Sequence, residues 1–126
     1  MKHLSRRLFL TLALVFIASV LAPAQATAAD LYAAIAYSPS TGKYGYAYGK
    51  GSRAAAENAA RAYARAGDAR IAIWCKNAWC ALALSNPSGA WGAAWGNSKA
   101  EASNAALRNC PSRGRYVACT AFSGRL

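Results

Sequence analysis

The chain repeats itself, and that limits the fold more than any other feature of it. Residues 34–50 laid over 81–97 at an offset of 47, and 52–60 over 98–106 at an offset of 46, give thirteen identities in 26 pairs, with Gly51 as a one-residue insertion. Seven identities are alanine on alanine, which an alanine-rich chain makes cheaply. The other six are Ser38/Ser85, Gly42/Gly89, Gly45/Gly92, Gly49/Gly96, Ser52/Ser98 and Asn58/Asn104. Self-similarity at a fixed period means one supersecondary unit used twice. A unit of this size can hardly bury a core alone, so the two copies are expected to pair about a pseudo-twofold axis into one globule.

Within each copy the local signals run in the same order. Ala34-Ile35-Ala36-Tyr37 and Ala81-Leu82-Ala83-Leu84 alternate small with large, as short strands do, and each leads into a turn cluster, Ser38-Pro39-Ser40-Thr41-Gly42 or Ser85-Asn86-Pro87-Ser88-Gly89. The return strands, Tyr44-Gly45-Tyr46-Ala47-Tyr48 and Trp91-Gly92-Ala93-Ala94-Trp95, put aromatics on one face and Gly45, Ala47, Gly92 and Ala94 on the other. A face of glycine and alanine admits a closely packed helix. Ser52 and Ser98 are natural N-caps for alanine-rich helices; Ser98 and Glu101 have capping-box spacing, with Glu101 reaching back to the cap amide, and Gly67 suits the first helix's stop. Arg53, Glu57, Arg61 and Arg65 form a solvated stripe. Ile71–Trp74 and Tyr116–Cys119 close the units. The predicted fold is α+β: two strand-strand-helix-strand repeats, about 31–76 and about 78–123, with antiparallel sheets, in one disulfide-stapled domain over 29–126.

The first 28 residues read as a signal peptide, with a basic start, an apolar run from Leu8 to Ala22 and the small-residue pattern Ala26-Thr27-Ala28. The run is shorter than the roughly 20 residues that cross a bilayer, so no membrane anchor is expected after cleavage. Ser5-Arg6-Arg7-Leu8-Phe9-Leu10 also resembles a twin-arginine signal, and both export routes stay open. Either one ends in the periplasm or outside the cell. In an oxidising compartment Cys75, Cys80, Cys110 and Cys119 allow three disulfide pairings, of which neighbours are favoured. Cys75 with Cys80 would close a hairpin turn, and Cys110 with Cys119 would staple helix to sheet. A four-thiolate zinc site is the competing reading, with looser spacing than usual knuckles; no metal or other cofactor is expected.

The single histidine, His3, falls in the signal, so the mature chain has none for Ser-His or Cys-His chemistry. Its four carboxylates are Asp30, Glu57, Asp68 and Glu101, against twelve Lys and Arg. Glu57 and Glu101 are explained by helix-start electrostatics and local ion pairs, which leaves a small hydrolase as the weakest of three functional readings. The first reading is an exported, non-enzymatic binding or interaction module for an unknown protein or anionic polymer. The second is a binder of polyanions, single-stranded nucleic acid or an acidic envelope polymer, through Arg61, Arg65, Arg70, Arg113 and Arg115. Tyr44, Tyr46, Tyr48, Trp91 and Trp95 divide the same way. Aromatics on one strand face usually make core, here where the two copies meet; the alternative is an exposed stacking platform beside Lys43, Lys50, Arg53 and Lys99.

With these motifs placed, the chain resembles the small secreted bacterial proteins of domain-of-unknown-function family 4189. The match is carried by the run Tyr32-Ala33-Ala34-Ile35-Ala36-Tyr37-Ser38-Pro39-Ser40-Thr41-Gly42, by Tyr44–Gly49 and by Ser52–Glu57. Asn77–Ala83 and Trp91–Gly96 carry it in the second copy. It spans about Leu31 to Phe122. The resemblance implies an exported, disulfide-bonded domain of two related halves with interior tryptophans, and no catalytic residues. Family members often carry a cysteine pair at the end of the first helix and in the segment after it, where this chain has Ala64 and Ile73.

Overall fold

Alternation along the first strand of each copy decides how the layers stack. The computed structural model describes residues 29–86 and 88–126, so the signal predicted over 1–28 lies outside the described residues. On β1 (Tyr32–Tyr37), Ala34 and Ala36 face one way and Ala33, Ile35 and Tyr37 the other; both faces are buried. β4 (Trp79–Ser85) does the same with Ala81 and Ala83 against Cys80, Leu82 and Leu84. The small face takes a helix and the large face takes the other sheet.

Three antiparallel strands make each sheet. β2 (Tyr44–Lys50) and β3 (Arg70–Lys76) flank β1, and β5 (Trp91–Gly96) and β6 (Arg115–Phe122) flank β4. Helix α1 (Arg53–Ala64) lays Ala56, Ala60 and Ala64 on Ala34, Ala36 and Ala47, and α2 (Lys99–Asn109) lays Ala102 and Ala106 on Ala81 and Ala83. The layers therefore run helix, sheet, sheet, helix. Between the sheets Ile35, Tyr37, Leu82 and Leu84 meet; β2 lies over β6 and β3 over β5, as a twofold parallel to the strands requires. The duplicated strand-strand-helix-strand order is the one the repeat predicts.

Backbone proximity sets the composition of the helix-facing layer. A Cβ built on Gly45 would fall 2.2 Å from the Ala64 nitrogen and 2.5 Å from the Ala60 carbonyl oxygen. One on Gly92 would fall 2.4 Å from both the Asn109 carbonyl carbon and the Cys110 nitrogen. Each return strand thus lies against the last turn of its own helix with no room for a methyl group. At the other end, Ser52 Oγ accepts from the Ala55 amide (3.1 Å) and Ser98 Oγ from the Glu101 amide (3.0 Å), so both caps form.

Three local expectations are corrected, and a fourth local feature was not anticipated. α1 stops three residues before Gly67, at Ala64, with Arg65 taking the left-handed cap at φ 52°. Glu101 reaches past the cap to the amide of Asn97 (3.3 Å). The link from Cys75 to Cys80 is no hairpin, because β3 and β4 belong to different sheets; the chain crosses between layers there, with Asn77 at φ 50°. Finally, period two breaks in both closing strands. A bulge between the Ile35/Ile73 and Ala36/Ile71 pairs sends Ile73 to the inter-sheet core and Ile71 to the helix side. The matching bulge in β6 does the same for Cys119 and Val117.

Gly45→Ala is expected to lower the unfolding free energy by about 2 kcal/mol or more, since the added carbon meets helix backbone that cannot rotate away. Gly51→Ala, with open space around the site, should change it by less than about 0.5 kcal/mol. Urea titration of both variants checks the pair; equal effects would show that the strand-helix contact does not set the packing distance.

Candidate functional site

The five arginines singled out from the sequence are all exposed. Strand register places Arg70 opposite Tyr37 and Arg115 opposite Ser85, at the turn end of each sheet, and the Tyr37 and Trp91 rings, 5.9 Å apart, join those ends across the sandwich. Arg65 caps α1 at this end, and Arg113 lies in the loop that enters β6. These four are brought to one end of the molecule. Arg61, one turn back on α1, is 3.7 Å from Glu57, which also binds Arg53 at 2.5 Å. Arg115 donates to the Cys110 carbonyl at 3.3 Å.

One carboxylate, Asp68, belongs to this end, and it is occupied. The buried Ser38 hydroxyl donates to it at 2.5 Å and the Ser40 amide at 3.3 Å, which holds Asp68 below the ordinary carboxyl value of 3.8. Thr41 Oγ1 donates to Ser38 Oγ in turn (2.8 Å), so the serine oxygen is engaged from both sides and serves as a lock on the turn. In the second copy Ser85, equally buried, donates to the Arg113 carbonyl at 2.9 Å. The sequence reading missed this pair, although Ser38/Ser85 is among the few non-alanine identities. A serine repeated at the end of a buried strand was the available signal.

The aromatic face lies where alternation predicts but not at the depth expected of core. β2 and β5 are edge strands, and their aromatics overhang the facing sheet. Tyr44 is 39% exposed, Tyr46 36%, Tyr48 62% and Trp95 58%, while Trp91 is half-buried against the inter-sheet core. The interior tryptophans implied by the family resemblance are corrected likewise, since Trp74 and Trp79 are only half-buried. Tyr63 of α1, 60% exposed and not anticipated, leans over the β2 edge with its ring centroid 5.2 Å from that of Tyr46. Its phenol pushes the Tyr46 hydroxyl up from its ordinary value.

Twisted sheets part at their edges, and the parting leaves two pseudo-equivalent grooves. One, of about 320 Å³, is lined by Ile73, Trp74, Cys75, Lys76 and Trp95. The other, of about 410 Å³, runs between Tyr46 and Tyr48 on one side and Thr120 to Phe122 on the other. Arg53 lies 4.3 Å over the Trp74 ring, so that tryptophan face is already covered by a cation.

Cys75 and Cys80 form a disulfide with Cα atoms 6.0 Å apart, which ties the two sheets together. The expected bond between Cys110 and Cys119 is not formed; both are free and buried. Cys110 ends α2 on the helix side of the second sheet, whereas Cys119, opposite Leu82, points between the sheets, so the sheet itself separates them. Burial pushes the Cys119 thiol up to about 11.

The family model described as Domain of unknown function (DUF4189) matches residues 32–123. The chain belongs to this family. No curated protein and no solved structure matches it. In this DUF4189 domain the match runs from the start of the first strand, β1, to just past the end of the last, β6, so the family unit is the whole duplicated sandwich. Among its described residues no helix is long and apolar enough to cross a membrane.

Two measurements check the site's chemistry. No thiol of the oxidised DUF4189 domain should react with an alkylating reagent at pH 8 while folded, and two should react in denaturant; none in denaturant would mean a second disulfide, and rapid native reaction an open core. Breaking the Cys75–Cys80 bond should cost about 2 kcal/mol of stability. The depressed Asp68 contributes stability that is present above the ordinary value of 3.8 and is lost as pH falls below it. Asp68→Asn should therefore flatten the acid limb of a stability profile, and an unchanged limb would remove the Ser38 lock from the account.

Proposed function

We propose that this protein is an exported, non-enzymatic binding module for an anionic polymer. The observation that carries the reading is the turn end, where Arg65, Arg70 and Arg113 stand exposed with Arg115, and where the one local carboxylate is turned to serine donors instead of to the arginines. Cations left without counter-charges across a single face raise the local concentration of an anionic partner and steer its approach. Asp30 is held by Asn77 and Lys76 and Glu57 by Arg53 and Arg61, so those carboxylates do little to offset the field. The disulfide supports the exported part of the proposal, because a thiol pair joining two sheets holds best in an oxidising compartment. The non-enzymatic part is supported by Ser38, which is buried and whose oxygen accepts from the Thr41 amide and hydroxyl while its own proton is given to Asp68, so that it is held as a lock on the turn.

The test is a salt series. Affinity for a heparin fragment and for an oligonucleotide should fall linearly on a log-log plot, with Arg70→Gln and Arg113→Gln each lowering the oligonucleotide slope by about 0.7. A salt-independent affinity for either polymer, or no binding at low salt, would overturn the reading and redirect it to a protein partner.

A further inference from the structure

We infer that the β2 edge is a stacking strip for single-stranded nucleic acid, an inference that rests on the anionic-polymer reading above and names its ligand. Tyr44, Tyr46 and Tyr48 alternate along the strand, about 6.8 Å apart on one face. Behind them Gly45 lies against the α1 backbone with no room for a methyl group and Ala47 is buried on the same helix, so the strand is held in place before any ligand arrives. Tyr63 completes it from the helix side: its ring meets that of Tyr46, and Tyr46 and Tyr48 lie nearly parallel, 17° apart with centroids at 6.3 Å. Four adjacent phenol rings, two of them about 60% exposed, are more aromatic surface than a domain this small leaves in water without use.

Charge identifies the occupant. Lys43 and Lys50 bracket the strip, and neither forms an ion pair among the described residues. Tyr44 pairs with Tyr37, which pairs on its other side with Arg70, so the strip begins at the cationic turn end and runs away from it along one edge. A ligand that follows this path must carry regular negative charge and present flat faces at intervals. A single strand does both, because every base has a π-face free to stack on tyrosine. A duplex keeps its base faces inside its own stack, and an acidic polysaccharide has no π-face to offer. The pseudo-equivalent edge lacks the strip: Tyr46 and Tyr63 correspond to Ala93 and Asn109, and Asn109 donates to the Ala93 carbonyl at 3.0 Å, which closes that edge instead.

The experiment uses the full oxidised domain, a labelled 12-nucleotide single strand, the duplex of the same sequence and a heparin fragment, with binding read by anisotropy. The single strand should bind more tightly than the duplex. Tyr48→Ala and Tyr63→Ala should each weaken it roughly fivefold to hundredfold, leave its salt slope and the heparin affinity unchanged, and Tyr48→Phe should restore binding. Tyrosine variants that bind the single strand like the parent, with Arg70→Gln still weakening it, would overturn the strip while the polymer reading stands. Equal affinity for duplex and single strand would do the same. Failure of all three probes to bind would overturn both.

Discussion

The contact between Gly45 and the last turn of α1, with its counterpart between Gly92 and α2, governs the rest of the architecture. With no Cβ at either glycine, strand backbone touches helix backbone, and the buried centre of that layer is alanine-sized: Ala34, Ala36, Ala47, Ala56 and Ala60 in one half, Ala81, Ala83, Ala102 and Ala106 in the other, with larger side chains such as Ile71 and Leu107 only partly buried at its margin. Layers so thin bury little area per residue. The larger side chains are therefore concentrated between the sheets, where Ile35, Tyr37, Leu82 and Leu84 supply the apolar burial that holds the halves together. The disulfide reinforces this same interface, crossing it at the point where the chain passes from one sheet to the other.

Most of this frame is legible in the sequence because repetition and periodicity report on backbone demands that do not depend on the partner sheet. The non-alanine identities are largely accounted for: Ser52/Ser98 are caps, Ser38/Ser85 lock the turns, Gly42/Gly89 adopt φ of 74° and 71°, and Gly45/Gly92 admit the helices. Alternation also assigns the aromatics to the correct face. It cannot say how closely the facing strand covers them, and at the β2 and β5 edges the facing sheet parts from them and leaves grooves, which turns an expected core into an exposed edge. The Cys110 to Cys119 expectation fails for a related reason: sequence proximity suggested a bond, but the side of the sheet each residue faces depends on a bulge, and a bulge adds one residue without any compositional mark.

Duplication fixes the scaffold, and the departures from it separate the two halves. The Asp68 carboxylate takes a hydroxyl donor in one copy where the Arg113 carbonyl takes it in the other. Trp74 and the Arg53 that covers it correspond in the repeat to Thr120 and Lys99, and Tyr63 over Tyr46 corresponds to Asn109 on Ala93. Each exchange keeps the backbone contact and changes the surface. The first copy gains an aromatic, cation-flanked edge; the second has a closed one. A scaffold whose first strands are committed on both faces, small residues to a helix and large ones to the other sheet, leaves the edges as the places free to differ.

Basic residues at the turn end have a rival explanation in the helix dipoles, since both helices end there and a cation near a helix C-terminus gains about 0.3–1 kcal/mol. That term accounts for Arg65 at the α1 cap, for Arg108 in the last turn of α2, and for Arg115, whose guanidinium binds the Cys110 carbonyl. It does not account for Arg70, which begins an edge strand, or for Arg113, whose carbonyl is used by Ser85 while its side chain stands in water. Neither stabilises a helix end or an ion pair among the described residues. Two arginines without a structural task, set beside three that have one, enlarge a locally useful charge into a face, and it is the size of that face that favours a polymer over a small anion.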